Sequence, residues 1–289
     1  MKKILYSLII LFISFGSITV NAKGSEVYIA LGDSLAAGQT PNRSIDTGYT
    51  DLIAQKLTKT GQLASYSKAL AFPGYTTADV LSSIQTDEAK ALLSKATLVT
   101  ISAGANDLLQ MVQVNSTSGS VTYQQISADF ALNNVRKNIA QIIKEVQAIA
   151  PNAKVYVMGY YFAYPHVRES QKSGIKKELD RLQLILKDQS ETNGATYVSV
   201  EESFGVNATT LLPNPEDVHP TMEGYRVMAN AFFSQYNKGI FVTQSELPAP
   251  NPLSFEQILN ASKDEEKSPV SRSEEMHDYY SLTELKPLI

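Results

Sequence analysis

The sequence predicts a three-layer α/β/α sandwich built on about five parallel strands. Two observations carry this. Short apolar runs alternate with helical segments of roughly ten residues or more, the spacing of parallel crossovers. The strand candidates VYIAL (Val27–Leu31), TLVTIS (Thr97–Ser102) and KVYVM (Lys154–Met158) are nearly continuous in apolar residues rather than alternating, as in a sheet covered on both faces. At 289 residues and 43% hydrophobic content, the chain can bury one sizeable core.

The elements follow in order. Val27–Leu31 is a buried strand ending at Gly32. Asp51–Leu57 reads as helix, with Leu52, Ile53 and Leu57 on one face. Ala64–Leu70 is a weaker strand. Thr77–Leu93 reads as one helix on Val80, Leu81, Ile84, Leu92 and Leu93. Thr97–Ser102 is a strand, and Ile126–Ile149 a long amphipathic helix stopped by Pro151. Lys154–Met158 is a strand, Ile175–Ser190 a helix ended by Gly194, Thr196–Val200 a strand and Thr221–Gln235 the last helix. Asn115–Thr122 (NSTSGSVT) is polar and rich in turn formers, which predicts an exposed insertion that could border a cleft.

The ends differ from the middle. Residues 1–22 read as a signal peptide, which predicts a secreted protein. Lys2 and Lys3 precede the apolar run Ile4–Phe15, and Val20 and Ala22 stand where a signal peptidase prefers small residues. The alternative is an uncleaved anchor, but the run is short for a spanning helix. Residues 25–240 form one domain. Residues 241–289 bring Pro248, Pro250 and Pro252 and then the charged stretches KDEEK and SRSEE. They read as an acidic, partly disordered tail.

Composition excludes several functions. With no cysteine, the chain has no disulfide, thiolate metal site or cysteine nucleophile. A net charge of -4 and the absence of a basic stretch argue against a nucleic-acid partner. Three scattered histidines without an HExxH pattern argue against zinc, and no metal or cofactor is expected.

In sheets of this kind function gathers beyond the carboxyl ends of the strands. That selects the loops Gly32–Gly38, Ala71–Thr77, Ala103–Leu108 and Gly159–His166, and the stretch before the last helix. Each holds a candidate. Ser34, in LGDSLAAG, is a hydroxyl directly after the first strand; it, or Asp33, could instead cap the next helix. Gly74, in FPGYTT, allows close approach of the backbone to a ligand. Asn106, in SAGAND, offers an amide donor, or else caps its own turn. His219, in PEDVHPTMEGY, is held extended by Pro220 and preceded by two carboxylates. Tyr160, Tyr161, Phe162 and Tyr164 could wall an acyl pocket, stack on a sugar, or pack under the last helix.

Taken together, GDSL at Gly32–Leu35, Gly74, GAND at Gly104–Asp107 and the His219–Pro220 pair resemble the four blocks of the SGNH, or GDSL, hydrolase superfamily. The likeness spans about Val27–Tyr236 and is nearest to secreted acylhydrolases of Gram-positive bacteria. It implies a flavodoxin-like SGNH hydrolase fold and a serine esterase needing no cofactor. Ser34 would be the nucleophile and His219 the general base. The Ser34 and Gly74 N–H groups and the Asn106 side chain would form the oxyanion hole. The family's acid stands three residues before the histidine, where this chain has Glu216; Asp217 stands two before. Asp217 is preferred for its shorter side chain, Glu216 has the family's register, and a backbone carbonyl could serve instead.

The substrate expected from the resemblance is a small-molecule, lipid or glycan ester. Two alternatives accompany it: an O-acetylesterase acting on cell-envelope or plant polysaccharide, and a non-catalytic carbohydrate- or surface-binding protein on the same fold.

Overall fold

The computed structural model describes residues 25–249; the leader read over residues 1–22 and the tail beyond Ala249 lie outside the described residues. The chain runs β1 (Glu26–Gly32), α1 (Ser34–Ala37), α2 (Tyr49–Lys59), β2 (Leu63–Ala71), α3 (Thr77–Ser83), α4 (Asp87–Leu93), β3 (Leu98–Ser102) and α5 (Ala105–Leu109). It continues through β4 (Gln113–Asn115), β5 (Ser120–Thr122), α6 (Gln125–Ile149), β6 (Lys154–Met158), α7 (Glu169–Thr192), β7 (Thr196–Val198), α8 (Glu201–Phe204) and α9 (Met222–Tyr236), and closes with a 3-10 turn at Gln244–Glu246.

Five strands form one parallel sheet in the order β2-β1-β3-β6-β7. Every residue of β3 is buried, as its continuous apolar run requires. Helices α2 and α9 pack together in one covering layer, and α3, α6 and α7 in the other. The fold is therefore the predicted α/β/α sandwich with flavodoxin-like strand order. In this order the chain leaves β1 towards β2 and leaves β3 in the opposite direction. The crevice beyond the carboxyl ends of β1 and β3 is thus the topological switch point.

Gly32 shows why the two strands end as they do. Its φ is +135°, and a Cβ there would stand 2.0 Å from the Ser102 carbonyl oxygen. Only glycine lets β1 turn out of the sheet against β3. The next residue, Asp33, then donates its N–H to that same carbonyl at 2.9 Å.

Several boundaries differ from expectation. The helix read over Thr77–Leu93 is two helices. Thr86 accepts the Ala89 N–H and starts α4 afresh after α3 ends at Ser83. Helix α7 begins at Glu169, a turn and a half before the apolar periodicity does. The stretch Asn115–Thr122 is not a plain loop. Together with Gln113 and Val114 it makes the antiparallel hairpin β4–β5. Beyond Gly239 the chain stays packed. Val242 is buried and exchanges hydrogen bonds with Asn230, while Glu246 pairs with Lys56 and Lys59 of α2 at 2.9 and 2.7 Å. Among the described residues no helix is long and apolar enough to cross a membrane.

Candidate active site

Asp33, not Ser34, caps α1. Its Oδ1 accepts the Leu35 N–H at 3.0 Å, which leaves the Ser34 hydroxyl free of capping duty at the first helical position. That hydroxyl lies 2.7 Å from Nε2 of His219. The other ring nitrogen, Nδ1, is 2.6 Å from Oδ1 of Asp217. A carboxylate only accepts, so Nδ1 carries the proton and Nε2 presents a lone pair to the serine O–H.

The histidine loop is held in several places. Asp217 Oδ1 also accepts the His219 backbone N–H at 2.8 Å. The Val218 carbonyl accepts the Tyr161 hydroxyl at 2.7 Å. Thr221 caps α9 through the Gly224 N–H, and Asn214 Nδ2 donates to the Pro41 carbonyl. His219 is 9% exposed, enough for a proton route to substrate and too little for free solvation. The outer oxygen of Asp217 faces Arg43 Nε at 3.6 Å; Arg43 is largely exposed and adopts a positive φ of 64°.

The two carboxylates before the histidine part company. Glu216 Oε1 accepts the Ser116 hydroxyl at 3.0 Å, on the β4–β5 hairpin and away from the imidazole. Its register matches the family pattern. The loop nevertheless turns at Asn214, whose Oδ1 takes the Glu216 N–H and whose carbonyl takes the Asp217 N–H. It is the Asp217 carboxylate that lies against the ring.

Ser34, Asn106 and His219 all line one cavity. Asn106 Nδ2 donates to the Tyr75 carbonyl at 2.9 Å, which fixes its amide against the loop that carries Gly74. Gly74 has φ +84°, and a Cβ there would meet nothing within 4 Å. Glycine is required at 74 by its backbone angle rather than by crowding within the protein. Asp107 locks the same pair of loops: its carboxylate accepts both the backbone N–H and the hydroxyl of Thr77.

Beneath Ser34 lies a buried polar set that only side-chain geometry reveals. The Asp33 carboxylate accepts the Tyr160 hydroxyl at 2.6 Å and the Ser102 hydroxyl at 2.9 Å. Burial pushes the Asp33 carboxyl above the usual carboxylate range, and these hydrogen bonds oppose that shift. Burial likewise pushes the Tyr160 hydroxyl well up, so it stays a donor. Further back, Thr50 and Lys68 donate to the Ala36 and Ala37 carbonyls and fix the C-terminal end of α1.

The cavity has a volume of about 110 Å³ and runs from Ser34 between α5, α6 and α7. Leu108, Val112, Val121, Leu179 and Leu182 give it mainly apolar walls. All four aromatics of the loop after β6 line it as well. Two of these also brace other groups. Tyr160 holds Asp33, and Tyr161 stacks on Phe204 with centroids 4.3 Å apart.

Comparison with known proteins agrees with this fold. Residues 30–227 match the model of the GDSL-like lipase/acylhydrolase family. No match to a curated protein sequence reaches significance. Among solved structures, the fold is similar to a lipase from a goat rumen metagenome. The TM-score is 0.60 at 19% identity, over 72% of this chain and 95% of that one. It is also similar to an extracellular lipase from Streptomyces rimosus (TM-score 0.54, 19% identity, 73% and 97% covered). A third likeness is to an acetylxylan esterase from Geobacillus stearothermophilus (TM-score 0.55, 17% identity, 74% and 96% covered). At such identities the structures support the shared fold, while the family match spans most of the sequence. The chain belongs to the GDSL-like lipase/acylhydrolase family and is a hydrolytic enzyme of the esterase type.

Proposed function

We propose that this protein is an exported carboxylic ester hydrolase in which Ser34 is the nucleophile, His219 the general base and Asp217 the acid that orients it. The observation that carries the reading is the unbroken relay Ser34 Oγ–His219 Nε2 at 2.7 Å and His219 Nδ1–Asp217 Oδ1 at 2.6 Å. Export rests on the leader read in residues 1–22.

The reaction is acyl transfer in two steps. Ser34 Oγ attacks the ester carbonyl carbon as its proton passes to His219 Nε2. The carbonyl oxygen gains negative charge, and the Asn106 amide with the Ser34 and Gly74 N–H groups receives it; one such donor is commonly worth about a hundredfold or more in rate. The tetrahedral centre collapses, the C–O bond to the alcohol breaks, and His219 returns its proton to the departing oxygen. Water then attacks the acyl-serine, giving a proton to His219; the bond from the acyl carbon to Ser34 Oγ breaks, His219 returns the proton to Oγ, and the acid leaves.

The cavity favours an acyl group longer than acetyl. Its walls are leucine, valine and aromatic side chains, and burying each methylene there contributes about 0.8 kcal/mol. A second reading, an O-acetylesterase on polysaccharide, is favoured by the structural likeness to an acetylxylan esterase. A series of model esters of increasing acyl length, run beside acetylated xylan and with Ser34→Ala as control, separates the two. Higher kcat/KM on the longer esters supports the first. Acetate release from the polymer, with little turnover of longer esters, supports the second.

A further inference from the structure

The cavity beside Ser34 is lined in part by an acidic residue that the proposed mechanism does not use. Helix α7 lines it with Ile175, Glu178, Leu179 and Leu182, spaced as one helix face. Leu182 marks the end nearer the catalytic groups, because a Cβ at Gly104, two residues before Asn106, would stand 3.2 Å from Leu182 Cδ1. Glu178 lies one turn before it, about 6 Å along the helix axis. The opposite end of α7 meets the β4–β5 hairpin, where Gln171 Oε1 accepts the Val121 N–H and the Arg168 N–H donates to the Gly119 carbonyl. Glu178 thus stands between the catalytic end of the cavity and the hairpin that walls its far part.

Glu178 is only 7% exposed. Its Oε2 accepts from Arg181 Nη1 at 2.7 Å and its Oε1 from Gln125 Nε2 at 3.2 Å. Arg181 in turn pairs with Asp129 of α6 at 2.7 Å. The carboxylate is therefore held at the seam of α6 and α7. A methylene laid against it would strip its remaining hydration without offering a hydrogen bond, which is costly for a charge.

Resting on the esterase reading above, we propose that Glu178 is the specificity-determining residue that limits acyl-chain length. A chain growing from the Ser34 end gains up to about fourfold in kcat/KM for each methylene that covers apolar wall. The gain stops where the chain reaches the Glu178 carboxylate.

The test is kcat and KM for p-nitrophenyl esters from acetate to palmitate in two-carbon steps. It uses the full chain as wild type, Glu178→Gln and Glu178→Leu. Both variants are expected to move the preferred acyl group longer by at least one step. Past the wild-type optimum, their long-to-short ratio of kcat/KM should rise up to about fifteenfold per two-carbon step, carried mainly by KM. Glu178→Gln keeps the shape of the side chain and serves if Glu178→Leu does not fold. Leu179→Trp, which narrows the same wall, should shift the preference to shorter acyl groups. An unchanged preferred length in both Glu178 variants, with ester turnover intact, overturns the proposal. No turnover of any ester by the wild type overturns the esterase reading and this inference with it.

Discussion

The carboxylate of Asp107 grips Thr77 twice, accepting its backbone N–H at 2.9 Å and its hydroxyl at 2.7 Å. Asn138 of α6 donates to the same hydroxyl oxygen at 3.0 Å. The clamp ties the turn that carries Asn106 to the loop that carries Gly74, and so sets the spacing of two proposed oxyanion donors. Asp107→Ala leaves a buried N–H and hydroxyl without their acceptor. It should cost about 1–3 kcal/mol of stability in urea denaturation and lower kcat by about tenfold or more. Wild-type kcat in that variant would show that the donors keep their places without the clamp.

Asp217 and Glu216 are adjacent and should behave very differently. Asp217→Asn replaces a carboxylate that only accepts with an amide that can donate to Nδ1 and favour the wrong tautomer, and should lower kcat by about ten-thousandfold. Glu216→Gln touches a hydrogen bond to Ser116 on the hairpin and should leave kcat close to wild type. Steady-state kinetics of the two variants side by side decides between them; the reverse ranking would mean that the family register governs here.

Asp33 links stability to pH. Burial raises its carboxyl above the ordinary value, so the folded protein binds this proton more tightly than the unfolded chain. The contribution to stability is full below the unfolded pKa, about 4, and is lost as pH rises through the folded value. Urea denaturation of wild type and Asp33→Asn should show wild type losing ground to the variant as pH rises from about 3.5, then a constant difference. A difference independent of pH would contradict this.

Gly32→Ala tests the join of β1 and β3. The added methyl group would meet the Ser102 carbonyl oxygen at 2.0 Å, and the backbone angle of +135° disfavours any side chain. The expected loss is about 3 kcal/mol or more, read from the thermal midpoint. A stable variant would mean that the two strand ends can separate.

Much of this was legible from residue order. Continuous apolar runs announced β1, β3 and β6, and the long periodic stretch announced α6, because burial on both faces or on one stripe leaves a mark in every few residues. Ser34, Asn106 and His219 stood out because each follows or precedes an element at the carboxyl edge of the sheet. The rest depends on contacts between distant residues. Asp217 and Glu216 could not be separated by register, since the turn at Asn214 decides which carboxylate meets the ring. Val121 looked like part of a polar insertion, yet it is buried in the cavity wall, because one apolar residue in eight leaves no period to read. Asp33, Tyr160 and Ser102 come from three strand ends, and their hydrogen bonds exist only once β1, β3 and β6 lie side by side. The break between α3 and α4 did carry a signal, the Thr-Asp-Glu start at Thr86–Glu88, which the continuing apolar pattern masked.

The most direct measurement is covalent capture of the nucleophile. A fluorophosphonate should phosphonylate one serine per chain, with fluoride leaving, and peptide mass mapping should place the adduct on Ser34. Labelling should disappear in Ser34→Ala and slow by about a thousandfold or more in His219→Ala, in step with ester hydrolysis. An adduct on a different serine, or undiminished hydrolysis by Ser34→Ala, would contradict the assignment of Ser34 as the nucleophile that His219 activates.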